Sequence, residues 1–152
     1  MTENEKNLNV DFEKDQLNEI NLGISAGIDT SVYADKKYLA IQMRQIRLGL
    51  MEKLPVDMYA NPEYDWFQME EIRKGLREGV DVKIYSSLSI PYEKMRQIRK
   101  GLKAGIDLSG YSHMKADVLK QIRVAHTEGI DLSKYISRQD TMQSSYLKSG
   151  RR

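Results

Sequence analysis

Gln68-Met69-Glu70-Glu71-Ile72-Arg73-Lys74-Gly75-Leu76-Arg77-Glu78-Gly79-Val80-Asp81, closed shortly afterwards by Tyr85, is one copy of a phrase written five times along the chain. The phrase returns around Ile98 with Met95, Arg99, Gly101, Leu102, Gly105, Asp107 and Tyr111, and it is legible around Ile20, Ile46 and Ile122. The anchor isoleucines step by 26, 26, 26 and 24 residues, and Tyr33, Tyr59, Tyr85, Tyr111 and Tyr135 keep the same steps. Two independent positions moving together mark a stacked repeat, whose copies bury their apolar faces only against neighbouring copies. Such a build offers a surface rather than a pocket.

With the anchor isoleucine as position 0, apolar residues recur at −8 (Phe12, Tyr38, Tyr64, Ile90, Met114), −3 (Leu17, Met43, Met69, Met95, Leu119), +4 (Ile24, Leu50, Leu76, Leu102) and +8 (Ile28, Leu54, Val80, Ile106, Ile130). The −3, 0, +4 spacing is a single helical stripe. Helices of about 15 residues are expected, with Asn61 before Pro62, Asp35 and Ser112 as N-caps and Gly27, Gly79, Gly105 and Gly129 at the left-handed C′ position.

After each such glycine comes Ile-Asp-Thr-Ser-Val-Tyr or a close variant, in which the Asp can cap one 3-10 turn and the Tyr can pin that turn to the stack. Repeat two departs, with Lys53 in the glycine place and Pro55 in the aspartate place, so a distorted connector is expected there. Glycine also recurs inside the helices at +3 (Gly23, Gly49, Gly75, Gly101), at about 1 kcal/mol relative to alanine. Close approach of a neighbouring backbone would account for it.

The expected fold class is therefore all-α: a short α-solenoid of five repeats, each one long helix plus a one-turn 3-10-like helix, right- or left-handed. Residues 1–10 read as a frayed start, 11–136 as the five-repeat solenoid, and 137–152 as a partial capping helix and tail, opened by Ser137-Arg138-Gln139-Asp140. At about 8–10 Å between axes, five helices would make a rod of roughly 40–50 Å.

The phrase Gln-Met-x-x-Ile-Arg-x-Gly-Leu-x-x-Gly-x-Asp-x-Ser-x-Tyr resembles short helical repeats of uncharacterised proteins of Firmicutes and their phages and conjugative elements, over residues 12–136. The resemblance implies a bacterial accessory or mobile-element setting and carries over no activity and no site residue. The alternation of long helix and short turn is similar, as architecture, to the leucine-rich variant repeats.

An apolar content of 40 % suffices for a core, while no run is long enough to cross a membrane. Met1–Asn9 are polar and acidic, unlike a secretory signal, and the absence of cysteine excludes disulfides, thiolate nucleophiles and cysteine-ligated zinc. A cytoplasmic setting is expected. The net charge of +2 conceals a division: residues 1–82 carry 10 Lys+Arg against 16 Asp+Glu, and residues 83–152 carry 14 against 6, which is −6 against +8. Drift of surface charge between repeats would produce this, and so would an acidic or nucleic-acid partner at the basic end or head-to-tail self-association.

No catalytic constellation is present, and no metal site or cofactor motif. His113 and His126 lack ligand-spaced companions, adjacent acids such as Glu70 and Glu71 diverge on a helix, and the serines and glycines recur as parts of the repeat. Two surfaces remain as candidates. At −5 and +2, almost opposite the stripe, stand Ile41, Phe67, Leu22 and Leu48, flanked by Trp66, Tyr64 and Tyr59; these residues either anchor a protein partner or pack against neighbouring elements. At +1 stands an arginine ladder, Arg47, Arg73, Arg99 and Arg123, whose guanidinium groups either bind connector aspartates and loop carbonyls or join Lys74, Arg96, Lys100, Lys103 and Lys120 in tracking phosphates. The leading expectation is a non-enzymatic protein-interaction module using Tyr59, Tyr64, Trp66, Phe67 and Ile41, in one special case an inhibitor of a host or defence factor. The alternative is nucleic-acid binding through Arg99, Lys100, Lys103, Lys120 and Arg123.

Overall fold

The computed structural model describes residues 11–131; the expected frayed start, the capping segment over 137–152 and Tyr135 lie outside the described residues. All regular structure among them is helical. Met1–Gly79 and Val80–Arg152 form two compact units. The first holds α1 (Lys14–Ser25), α2 (Ala40–Met51) and α3 (Trp66–Glu78), joined through 3-10 turns at Thr30–Val32 and Val56–Met58. The second holds a 3-10 turn at Val82–Ile84, α4 (Tyr92–Lys103), a turn at Ser109–Tyr111 and α5 (Ala116–Thr127). Helix α1 packs on α2 and α2 on α3 in the first unit, and α4 packs on α5 in the second. The architecture is that of a short α-solenoid, one long helix and one single-turn helix per repeat.

Position 0 is buried in every repeat, as Ile20, Ile46, Ile72, Ile98 and Ile122, and Met43, Met69, Met95 and Leu119 at −3 lie beside it. Each such side chain contributes roughly 1.5–3 kcal/mol through apolar area removed from water. The expected +4 member of the stripe is displaced outward: Ile24 is exposed, Leu50, Leu76 and Leu102 are half-buried, and His126 is exposed. The interior is completed instead at +3 and −4, because the connector folds back over the +3 glycine.

Helices start later than expected and run 12 or 13 residues. Asp35 and Asn61 do not cap them. Their carboxylate and amide oxygens accept from the N–H groups of Lys37 and Glu63, both at 2.9 Å, closing turns that swing Tyr38 and Tyr64 inward. The N-caps are Leu39 and Asp65, and Lys115 takes the place expected of Ser112. At −4, three residues into the helix, a glutamine reaches back to the N-cap N–H: Gln16 Oε1 accepts from Glu13 at 2.9 Å, Gln42 Oε1 from Leu39 at 2.8 Å and Gln68 Oε1 from Asp65 at 3.0 Å. Asp65 reciprocates to the Gln68 N–H at 2.8 Å, forming a capping box.

The connectors carry a second recurring device. Tyr33 donates its hydroxyl to the Glu19 carbonyl at 2.8 Å and Tyr59 donates to the Gln45 carbonyl at 2.6 Å, each ring lying across the helix it has just left. A Cβ at Gly23 or Gly49 would stand 2.0 Å from that hydroxyl oxygen. Gly23 and Gly49 therefore make room for the tyrosine of their own connector, not for a neighbouring helix. Repeat four differs. Leu108 fills the space above Gly101, where a Cβ would meet its Cδ1 at 3.1 Å and the Ile106 carbonyl oxygen at 2.9 Å, and Tyr111 is only half-buried.

Repeat two keeps the connector despite its altered sequence. Lys53 adopts φ 58°, the conformation that Gly27, Gly79, Gly105 and Gly129 adopt elsewhere. Leu54 then donates to the Gly49 carbonyl at 2.9 Å, as Ile28 does to Gly23 at 3.2 Å. The expected distortion is absent because Lys53 absorbs it as backbone strain.

Candidate interaction surface

Polar side chains that face a neighbouring helix are consumed in joining repeats. Gln16 Nε2 donates to the Tyr38 carbonyl at 2.8 Å and Gln42 Nε2 to the Tyr64 carbonyl at 2.7 Å, so each glutamine clips its own N-cap to the next repeat's turn. Lys94 holds this position in repeat four and donates to the Ser112 carbonyl at 2.8 Å. In the sequence, the signal for this role at position −4 is a glutamine recurring beside the apolar stripe, at Gln16, Gln42 and Gln68.

The arginine ladder runs through the same seams. Arg47 Nε meets Glu19 Oε2 at 2.8 Å, Arg73 Nε meets Gln45 Oε1 at 3.1 Å and Arg123 Nε meets Gln97 Oε1 at 3.2 Å. Arg73 also bonds Glu52 at 2.7 Å through Nη1. Each of these arginines binds position −1 of the preceding helix, where the sequence had suggested connector aspartates. Positions +1 and −1 project about 100° to either side of the anchor, so on adjacent helices they face each other across the seam. The connector aspartates are occupied locally: Asp29 accepts from Ser31 N at 3.1 Å and Ser31 Oγ at 2.6 Å, and Asp107 accepts from Ser109 N at 2.9 Å. Hydrogen bonding to these serines holds both carboxyls below the usual aspartate range.

With the seams closed, the opposite side of the first unit's helices stays open. Ile41 is 37 % exposed, Leu22 42 % and Met51 48 %, and Leu48 is half-buried beside them. On α2 the residues Ile41, Leu48 and Met51 follow the i, i+7, i+10 spacing of a single face. Leu22 occupies on α1 the register of Leu48, and Phe67 occupies on α3 the register of Ile41. Trp66 and Phe67 are half-buried and stacked, with ring centroids 3.6 Å apart. Tyr59 does not belong to this face: it is 0 % exposed and serves as the connector lock. Tyr64 is buried in the turn before α3. Met51 and Arg44, which border the row, were not singled out from the sequence, because the apolar signal there is interrupted by charge.

The five residues of the basic alternative separate. Arg99 is buried and Arg123 is engaged with Gln97, whereas Lys100, Lys103 and Lys120 are exposed. The two histidines are exposed. Among the described residues no group of three or more His, Cys, Asp or Glu side chains is placed to hold a metal ion, and no helix is long and apolar enough to cross a membrane. No protein-family model, no curated protein and no solved structure matches the chain.

Proposed function

We propose that this chain is a non-enzymatic interaction module that binds another protein through the open face of its first unit, centred on Ile41 and Leu48 with Leu22, Met51, Trp66 and Phe67 around them. The observation that carries this reading is the contrast between the two sides of the same helices. Inward positions are closed by glutamine clips, arginine bonds and tyrosine locks, while apolar side chains on α1 and α2 meet solvent. Clustered exposed apolar side chains are the usual mark of a docking surface, and aromatic residues beside them supply anchors. The setting we propose is the bacterial accessory or mobile-element one that the repeat phrase implies, with inhibition of a host factor as the form such binding takes.

The test is affinity capture from the native host with the chain and with an Ile41→Ser/Leu48→Ser double variant, each first checked by circular dichroism. A specific partner lost in the variant is the expected result; identical capture by both would overturn the reading. A second reading, nucleic-acid binding, is favoured by the exposure of Lys100, Lys103 and Lys120. It requires affinity for a labelled duplex that falls steeply as salt rises, and no binding at low salt removes it.

A further inference from the structure

The open face of the first unit contains one charge that breaks its apolar row. Arg44 lies three residues after Ile41 and four before Leu48, so helical spacing sets its stem between them. It is exposed, and among the described residues it makes no hydrogen bond or ion pair, unlike Arg47 and Arg73 on the inner side of the same repeats. At the same register on α3, Glu70 is already paired with Lys74 at 3.4 Å, and on α1 the residue is the uncharged Asn18. Residues 1–82 carry an excess of acidic side chains, so the complementarity is local to this row and not a property of the whole unit: a guanidinium left uncompensated among apolar side chains is poised for a carboxylate that arrives with apolar neighbours. Those neighbours would exclude water and strengthen the pair.

We propose that the occupant of this face is an acidic amphipathic helix of another protein, with apolar anchors seated along Ile41, Leu48, Met51, Leu22 and Phe67 and an Asp or Glu meeting Arg44. This rests on the docking face proposed above and adds the chemistry of its partner. The row from Ile41 to Met51 spans about 15 Å, and anchors at i, i+4 and i+7 of a bound helix span about 10 Å, so such a helix fits along the row with about one turn to spare. A second copy of the chain fits poorly, since a two-fold interface sets the same patch against itself and brings Arg44 towards Arg44.

The test is selection from a displayed library of amphipathic helices in which the apolar anchors are constant and the residues beside them vary in charge. On the native chain, enriched peptides are expected to carry Asp or Glu among the anchors and to bind at least tenfold more weakly to Arg44→Glu. Replacing the peptide's acid by Lys is expected to restore binding to that variant. Loss of binding to Ile41→Ser/Leu48→Ser shows that the apolar row is used. Peptides that need the row but are indifferent to charge would overturn the acidic helix and leave the docking face standing. No enrichment, or binding untouched by either variant, would overturn both.

Discussion

Gly49→Ala is expected to destabilise the first unit even though alanine is the better helix former. The added Cβ would sit 2.0 Å from the Tyr59 hydroxyl oxygen and 2.7 Å from Val56 Cγ1. To restore a contact of about 3.5 Å the hydroxyl must retreat by about 1.5 Å, which breaks its 2.6 Å bond to the Gln45 carbonyl. Losing a buried hydrogen bond costs about 1–3 kcal/mol, and overpacking costs about 1–3 kcal/mol more. Helix propensity returns about 1 kcal/mol, so the net loss is centred near 3 kcal/mol. Tyr59→Phe alone forfeits the hydrogen bond, at about 1 kcal/mol, and also removes the oxygen that the new methyl would strike. In that background Gly49→Ala should cost about 1 kcal/mol, leaving a coupling of about 2 kcal/mol between the two positions. Urea unfolding followed through Trp66, the only tryptophan in the chain, measures all four corners of the cycle. A stabilising Gly49→Ala, or a penalty equal in both backgrounds, would refute the tyrosine lock.

Other expectations follow from the same geometry. Lys53→Gly relieves a left-handed residue and should raise stability by about 1 kcal/mol, seen as a higher urea midpoint with an unchanged slope. Arg73→Ala removes bonds to Gln45 and Glu52 and leaves the Glu52 carboxylate only its longer 3.9 Å pair with Arg77, for a loss of about 2 kcal/mol, whereas Lys120→Ala, at an exposed position, should stay within about 0.5 kcal/mol of the native chain. Burial pushes the Tyr33 hydroxyl up to about 12 and shifts Tyr59 in the same direction. Because the folded-state values lie above the unfolded value of about 10, this stability is whole below that pH and is lost as pH rises from it through the folded values. The last part of the phenolate absorbance to appear and the circular dichroism should therefore change together in that alkaline window; complete ionisation of all nine tyrosines near pH 10 with the helices intact would contradict the burial of these hydroxyls.

The register of the repeat was the most legible part of the sequence, because Ile46, Ile72 and Ile98 and the methionines three residues before them answer to a single helical period. The C′ glycines were legible for a similar reason: few residues tolerate positive φ, and Lys53 shows the exception surviving inside an otherwise repeated connector. Helix starts were not. An Asp or Asn side chain accepts a backbone N–H two residues on both in a turn and at an N-cap, so Asp35 and Asn61 could not be told apart from caps by type alone. Partners across a seam were hidden as well. Arg73 finds Gln45, 28 residues earlier in sequence, and only the packing of α3 on α2 shows that they meet. The sequence fits Tyr59 both as a connector pin and as a surface anchor; its burial assigns it to the first role. Ile41 kept its place on the open face, while Arg44 beside it drew no notice, since a lone charge at a helical surface position has no pattern to betray it.

The separation of a closed inner side from an open outer side is tested most directly by thiol labelling. The chain contains no cysteine, so Ile46→Cys, Ile72→Cys, Leu22→Cys and Ile41→Cys each introduce a single reporter. Under native conditions the reporters at 46 and 72 should react at least a hundredfold more slowly than those at 22 and 41. Comparable rates at all four positions, in chains whose helical signal is intact, would contradict the division on which the interaction surface depends.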